Sequence, residues 1–515
     1  MWPANVTYIL LGVFMFVMAM VCIYGLHRYL LVYLYYKHRR NQPRVHARFE
    51  VVPHVTIQLP MYNERYVAQR IIETSCRIDY PADKLQIQVL DDSTDDTTDI
   101  ARDTVKRMRA AGCDIELIHR TDRCGFKAGA LEAGLASAKG EFICIFDADF
   151  LPPSEILLET IDHFINPEVG MVQARWEHIN RDHSLLTKTQ AILLDGHFVM
   201  EHGARNRSGR FMSFNGTAGV WRKSCIVEAG GWQHDTLTED LDLSYRAQMK
   251  GWKFLFLPDT CSPAELPPEM GGFKAQQHRW AKGGAQTCRK LLPTVLRSTL
   301  PWRIKLEAFF HLTSCTVYLY MVMLTLLIFP VLLIGLGHTH KYSPAHVLLD
   351  VGLFIVATCS ASTFYVCSQR ELFKTWSDSL KYLPFLMSLG VGISLNNALA
   401  ALYGCCGHQS EFVRTPKFGV QDGTGKGWKR RTAYRRPRQR GRIQAFVELG
   451  MGVYMVGCMV LSIEQGWITI GLPFMALFAV GYFYVGATTL AGATVSAPVL
   501  ESSSGDRSPV RAALD

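Results

Sequence analysis

The sequence predicts an α/β domain inserted between an N-terminal transmembrane helix and a C-terminal helical membrane domain. Apolar residues make up 49% of the 515-residue chain, and they concentrate before residue 37 and after residue 305. Between those limits, short β-branched or alternating runs are separated by helical ones. That alternation argues for a βαβ sheet whose ligands sit beyond the carboxyl ends of the strands.

The first apolar run, YILLGVFMFVMAMVCIYGLHRYLLVYLYY (8–36), is far longer than a signal-peptide core. No small-residue cleavage site follows, so it reads as an uncleaved anchor. No Lys or Arg precedes it and KHRRNQPRVHAR (37–48) follows. The positive-inside rule then puts the N-terminus outside and the next domain in the cytoplasm. Later apolar stretches fall at about 306–337, 346–368, 379–406, 444–463 and 466–490. If all five crossed, the segment 407–443, with eleven Lys and Arg, would be exported. The expected repair is that 379–406, broken by Gly390, Gly392, Ser394, Asn396 and Asn397, lies in the interface or re-enters. Five full spans and a cytoplasmic basic loop follow.

The net charge of +9 belongs largely to these flanks. It accompanies no aromatic platform or recognition helix, which argues against nucleic-acid binding. Fourteen cysteines show no CxxC pair and no zinc-like spacing, and read as reduced thiols used as small apolar residues.

In the central region the strand candidates are HVTIQL (54–59), LQIQVL (85–90), EFICIF (141–146), GMVQAR (170–175) and KFLFL (253–257). Unusual residues follow them. After the second comes DDSTDD (91–96), where Asp91 and Asp92 could accept from a base N–H or a ribose hydroxyl; the same residues also suit a helix N-cap. After the third, Asp147 and Asp149 at i and i+2 can both reach one hard cation, Mg²⁺ or Mn²⁺, which would neutralise a diphosphate. Lys127 opens the predicted helix 127–138, where a cation opposes the helix dipole unless a phosphate partners it. Thr238-Glu239-Asp240 starts another helix, and a carboxylate there can serve as general base; a capping box explains the same residues. Gln276-Gln277-His278-Arg279-Trp280 offers a guanidinium fork for a diphosphate and an indole face for a sugar ring, or equally a membrane-interface Arg-Trp pair.

Taken in order, these motifs resemble those of family 2 processive glycosyltransferases, the cellulose, chitin and hyaluronan synthases. The finer similarity is to the cellulose synthase-like glucomannan and glucan synthases. It rests on PMYNE (60–64), VLDDSTDDT (89–97), GFKAGAL (125–131), FDADF (146–150), VQARW (172–176), FNGTAGVWR (214–222), GGW (230–232), AELP (264–267) and QQHRW (276–280). The resemblance implies a GT-A (Rossmann-like) catalytic domain. It implies a nucleoside pocket of Tyr62, Glu64, Asp91 and Asp92, with Lys127 on the nucleoside diphosphate. Asp147 and Asp149 would be the donor and metal carboxylates, Asp149 the more direct ligand. Asp240, beside Glu239, would be the catalytic base. Asn215, Gly216 and Thr217 would floor the acceptor site, Gln276 and Arg279 would hold the diphosphate, and Trp280 would stack on the acceptor. EFVRTPK (411–417) resembles the gating loop F-x-V-T-x-K at Phe412, Thr415 and Lys417, but Arg414 stands where that family has Val.

The implied function is an inverting, processive β-glycosyltransferase that passes its polymer across the bilayer. UDP-glucose and a β-1,4-glucan are favoured over GDP-mannose and a mannan or glucomannan. A non-processive glycolipid synthase is the first alternative; a polyprenyl-phosphate sugar transferase and a decayed, non-enzymatic domain are more distant. The expected organisation is an anchor with its juxtamembrane segment (1–49), a cytoplasmic catalytic domain (50–272), interface helices (273–304), transmembrane and interfacial helices (305–406), the basic loop (407–443), a transmembrane hairpin (444–490) and a disordered tail (491–515). The setting would be a bacterial inner or plasma membrane, or the Golgi in a eukaryote. Accessory subunits and homo-oligomers are left open.

Overall fold

The computed structural model describes residues 3–45, 47–337, 344–408, 414–423, 428, 439–464 and 471–494. Among the described residues seven strands form one sheet in the order β3-β2-β1-β4-β6-β5-β7. They are β1 (Val55–Met61), β2 (Leu85–Asp91), β3 (Asp114–His119), β4 (Phe142–Ile145), β5 (Val169–His178), β6 (Gly219–Arg222) and β7 (Lys253–Ala264). All five predicted runs are strands. Two strands had not been expected: β3, a half-exposed edge, and the four-residue β6. β6 pairs antiparallel with both β4 and β5, so the sheet is mixed rather than built from βαβ units alone.

The pleat sends alternate side chains to opposite faces, and both faces are covered. On β4, Phe142 and Cys144 join one core with Val55, Ile57, Ile71 and Val172, while Ile143 and Ile145 join the other with Met171, Trp221 and Leu243. Residues just beyond the strand ends are therefore held by a rigid, dry frame.

Among the described residues four helices are long and apolar enough to cross a membrane: Ala4–Lys37, Trp302–Ile334, Gly441–Glu464 and Leu472–Gly492. The segment expected at 346–368 lies in the helix Pro344–Leu372, where the side chains of the first turns fall outside the described residues. The expected break in 379–406 takes the form of two helical pieces, Trp376–Gly392 and Ser394–Cys405, bent by 43°. At the bend, a Cβ on Gly392 would meet the Gly481 carbonyl oxygen at 2.3 Å, so the small residue is what admits the neighbouring helix. The tail 495–515 and most of the basic loop lie outside the described residues.

The catalytic-side domain is tied to these helices by buried polar pairs. His27 of the first helix lies 3.0 Å from Glu307, which in turn takes Arg205 at 2.9 Å. Lys274 donates to Glu448 at 2.6 Å, with Glu448 fully buried.

Candidate active site

One open cleft, with about 1220 Å³ of empty space when the solvent at its mouth is included, lies across the strand ends. Residues from β1, β5 and β7, the turn after β4, two helix starts and the loop after Cys405 line it.

Tyr62 follows β1, and the Arg123 guanidinium lies 3.3 Å from its ring centroid. Asp92 follows β2 and is held by both arms of Arg120, at 2.8 and 2.6 Å. Asp91 does not reach the cleft. It is fully buried and accepts from Ser93 N–H at 3.0 Å and Thr98 Oγ1 at 2.7 Å, with His119 Nδ1 at 2.9 Å. Its carboxylate organises the DDST turn from behind.

Lys127 sits in the first turn of the helix Phe126–Ser137. Its ammonium is 2.5 Å from Asp147 Oδ1 and donates to the Gly216 carbonyl at 2.8 Å. Burial would lower the ammonium pKa, but Asp147, Glu239 and Asp240 outweigh it and raise it. The carboxylates around it thus explain a cation that the helix dipole disfavours.

Glu239 and Asp240 open the helix Glu239–Met249. The capping box does not form: Thr238 makes no cap hydrogen bond, and its hydroxyl lies 3.1 Å from Thr287 Oγ1 instead. Burial, reinforced by the Glu239 charge, pushes the Asp240 carboxyl up to about 7. Burial raises Glu239 as well, against the pull of Lys127. A base titrating near neutrality is suited to taking the proton of a hydroxyl as that oxygen attacks.

The bend before β6 faces this pair. Gly216 has φ +80°, and a Cβ there would lie 3.0 Å from Asp240 Oδ2. Thr217 stands behind it, its hydroxyl accepting the Asp147 N–H at 2.9 Å. Asn215 lines the cleft and is held by His197 Nε2 at 2.9 Å and by His202 Nε2.

Gln276, Arg279 and Trp280 share one face of the 28-residue helix Met270–Arg297, as i, i+3 and i+4 spacing requires, and all three line the cleft. Burial lowers the Arg279 pKa, against the attraction of Glu239, Asp147 and the other acids.

From the far side comes the loop after Cys405. Lys417 donates to Asp149 Oδ2 at 2.6 Å, Arg414 pairs with Glu64 Oε2 at 2.6 Å, and Thr415 Oγ1 is 3.4 Å from Arg279. Burial raises Glu64 to about 7 despite Arg414. The loop is clamped by Glu265, whose two oxygens accept the N–H groups of Phe418 at 2.9 Å and Gly419 at 2.8 Å. Phe412 lies outside the described residues.

Asp147 and Asp149 suit a cation that takes its remaining ligands from phosphate and water, as Mg²⁺ commonly does. Each carboxylate spends one oxygen on a lysine. Among the described residues no group of three or more His, Cys, Asp or Glu could hold a metal unaided. The donor set fits a substrate-assisted site.

Of the residues singled out from sequence, the cleft gathers Tyr62, Glu64, Asp92, Lys127, Asp147, Asp149, Asn215, Gly216, Glu239, Asp240, Gln276, Arg279, Trp280, Thr415 and Lys417. Arg123, His178 and Glu265 line it without having been singled out. Glu265 lay within AELP, and no spacing rule marked its role.

Residues 53–283 match a family model described as glycosyltransferase like family 2. A probable glucomannan 4-beta-mannosyltransferase 9 of Oryza sativa subsp. japonica is 34% identical over 84% of this chain and 82% of its own length. Glucomannan 4-beta-mannosyltransferase 7 of Arabidopsis thaliana is 32% identical over 88% and 80%. Among solved structures, the mannosyltransferase PcManGT of Pyrobaculum calidifontis, in complex with GDP-Man and Mn²⁺, superposes over 75% of this chain and 99% of its own. At a TM-score of 0.49 and 20% identity, that likeness is too loose to bear on chemistry.

Proposed function

Since the chain belongs to glycosyltransferase family 2, in its cellulose synthase-like glucomannan and glucan synthase branch, we propose that this hexosyltransferase polymerises a β-1,4-mannan or glucomannan from GDP-mannose. The relatives' activity moves the preferred donor from UDP-glucose, which the motifs alone had favoured, to GDP-mannose. The observation that carries the reading is the convergence of Asp147, Asp149, Asp240, Arg279 and Trp280 on one cleft.

The chemistry proposed is a single in-line displacement with inversion. Tyr62, Glu64 and Asp92 receive the nucleoside. Lys127 and Arg279 meet the diphosphate with opposite charge, and Gln276 offers it a neutral amide N–H. Asp147 and Asp149 would hold Mg²⁺ or Mn²⁺, which when bound supplies Lewis-acid neutralisation of the leaving group. Trp280 stacks on the acceptor ring, and Asn215 and Gly216 floor it. Asp240 takes the acceptor hydroxyl proton as the bond to the anomeric carbon forms, so an α-linked donor gives a β-linked product. The loop bearing Thr415 and Lys417 closes the cleft over the donor. In this reading the cleft faces the cytoplasm and the product leaves through the membrane helices.

The test is to give membranes containing the protein GDP-mannose or UDP-glucose separately, with Mg²⁺ or Mn²⁺, and to determine product length and linkage. A β-1,4-linked mannose polymer is expected. A lipid bearing one sugar would replace this reading with the glycolipid synthase, and a glucose-only polymer would return the donor to UDP-glucose.

A further inference from the structure

His178 closes β5 and lines the cleft, yet neither of its ring nitrogens makes a hydrogen bond among the described residues. Its side chain is only 2% exposed, so water does not serve it freely. A buried polar atom without a partner costs stability, and facing a cleft it points to a ligand.

Behind the ring lies a carboxylate. Asp195 Oδ1 is 3.6 Å from His178 Nε2, longer than a hydrogen bond and short enough to orient the ring. Asp195 is itself fixed by Arg181 at 2.8 Å and by Gln369 at 2.8 Å, and Arg181 also donates to Gln369 at 3.0 Å. Gln369 belongs to the helix Pro344–Leu372, so the brace reaches the membrane-side helices. Burial would raise the Asp195 carboxyl, but His178 and Arg181 hold it down at about 2, and it stays ionised. An ionised carboxylate at Nε2 favours the tautomer with Nε2–H toward Asp195, leaving Nδ1 as an acceptor. Immediately after Asp195 the helix becomes π-helical over Gly196–His202, a register change often found at functional sites.

The position within the cleft identifies the ligand. Tyr62 and Asp92 follow β1 and β2, whereas β5 lies in the opposite half of the sheet. On that side Trp176 packs against Phe198, and Trp176 and Trp280 border the same apolar cluster. Flat aromatic walls with a few fixed polar atoms suit a pyranose chain.

We propose that His178, positioned by Asp195, is a further acceptor-binding residue, accepting a hydroxyl of the growing sugar chain at the membrane end of the cleft. The inference rests on the glycosyl-transfer reading above.

The experiment uses the full-length protein in membranes with GDP-mannose. It measures how consumed donor divides between polymer and free mannose, and separately the affinity for GDP. His178→Phe keeps the ring volume and removes both nitrogens; it should raise the share lost to free mannose about tenfold, the scale of one lost hydrogen bond, with GDP affinity unchanged. Asp195→Asn should move the same ratio in the same direction by less, and His178→Gln should recover part of the loss. An unchanged ratio in His178→Phe overturns the proposal, as does a fall in GDP affinity in step with transfer in both His178 variants. A wild-type protein that transfers neither mannose nor glucose would instead sink the transferase chemistry itself.

Discussion

Lys417 Nζ lies 2.6 Å from Asp149 Oδ2, an ion pair between residues 268 positions apart in the chain. It brings a loop that follows the membrane helices onto a carboxylate at the end of β4. Any cation that uses Asp149 must share it with this ammonium. Lys417→Ala should therefore lower the Mg²⁺ or Mn²⁺ concentration giving half-maximal activity, while cutting transfer at saturating metal about tenfold or more. A metal titration of both proteins checks it, and an unmoved midpoint would show that cation and lysine do not compete.

Asp240→Asn should reduce transfer by roughly 10²–10⁴-fold, the range of a lost general base, with GDP affinity nearly unchanged. The raised carboxyl fixes the sign of the pH dependence. With a pKa of about 7, Asp240 is protonated and inactive as a base below neutrality, so kcat/KM should climb as pH rises through about 7. For stability the sign is opposite: the folded carboxyl binds its proton more tightly than the ordinary 3.8, so its contribution is full below that value and fades as pH rises toward 7. A rate profile flat from pH 5.5 to 8.5 would remove Asp240 from the role.

Gly216→Ala tests the close approach at φ +80°. The new methyl would sit 3.0 Å from Asp240 Oδ2 in a backbone conformation costing about 1–2 kcal/mol for a residue with a Cβ. Gly216→Ala should lower transfer, whereas Gly209→Ala, at φ +66° with open space around it, should lower the melting temperature by a similar amount and leave transfer unchanged.

Glu265→Ala removes the acceptor of two loop N–H groups. The segment 414–423 should become accessible to protease, and transfer should drop although Glu265 meets neither sugar in the proposed chemistry. Limited proteolysis with and without GDP reads this directly. Equal cleavage rates in wild type and variant would mean that the apolar anchor of Phe418, Val420 and Trp428 holds the loop alone.

Much of this architecture was legible because β1, β2, β4, β5 and β7 are buried strands with strong apolar runs, and the charged residues cluster just after them. β3 reads DIELIH, with both end residues exposed, and carries too little apolar signal to stand out. β6 has four residues and exists only because β4 and β5 bracket it. Asp91 and Asp92 are adjacent and chemically alike, and only the pleat decides that Asp92 meets the cleft while Asp91 turns inward. The pairing of Arg414 with Glu64 is a product of folding that local spacing does not encode, although the substitution of Arg for Val had marked the position. His178 carried no motif at all.

The helix Met270–Arg297 has one mechanical property that bears on everything it touches. Arg279 in the cleft and Lys274 against Glu448 are five residues apart, about 7.5 Å along one continuous rod, and the only proline, Pro293, comes after both. Among the described residues no break in this helix separates Arg279 from the pair that Lys274 makes with Glu448 of the helix Gln439–Glu464. In the proposed reading, a tilt of the helix Gln439–Glu464 would be felt at the guanidinium through this unbroken rod.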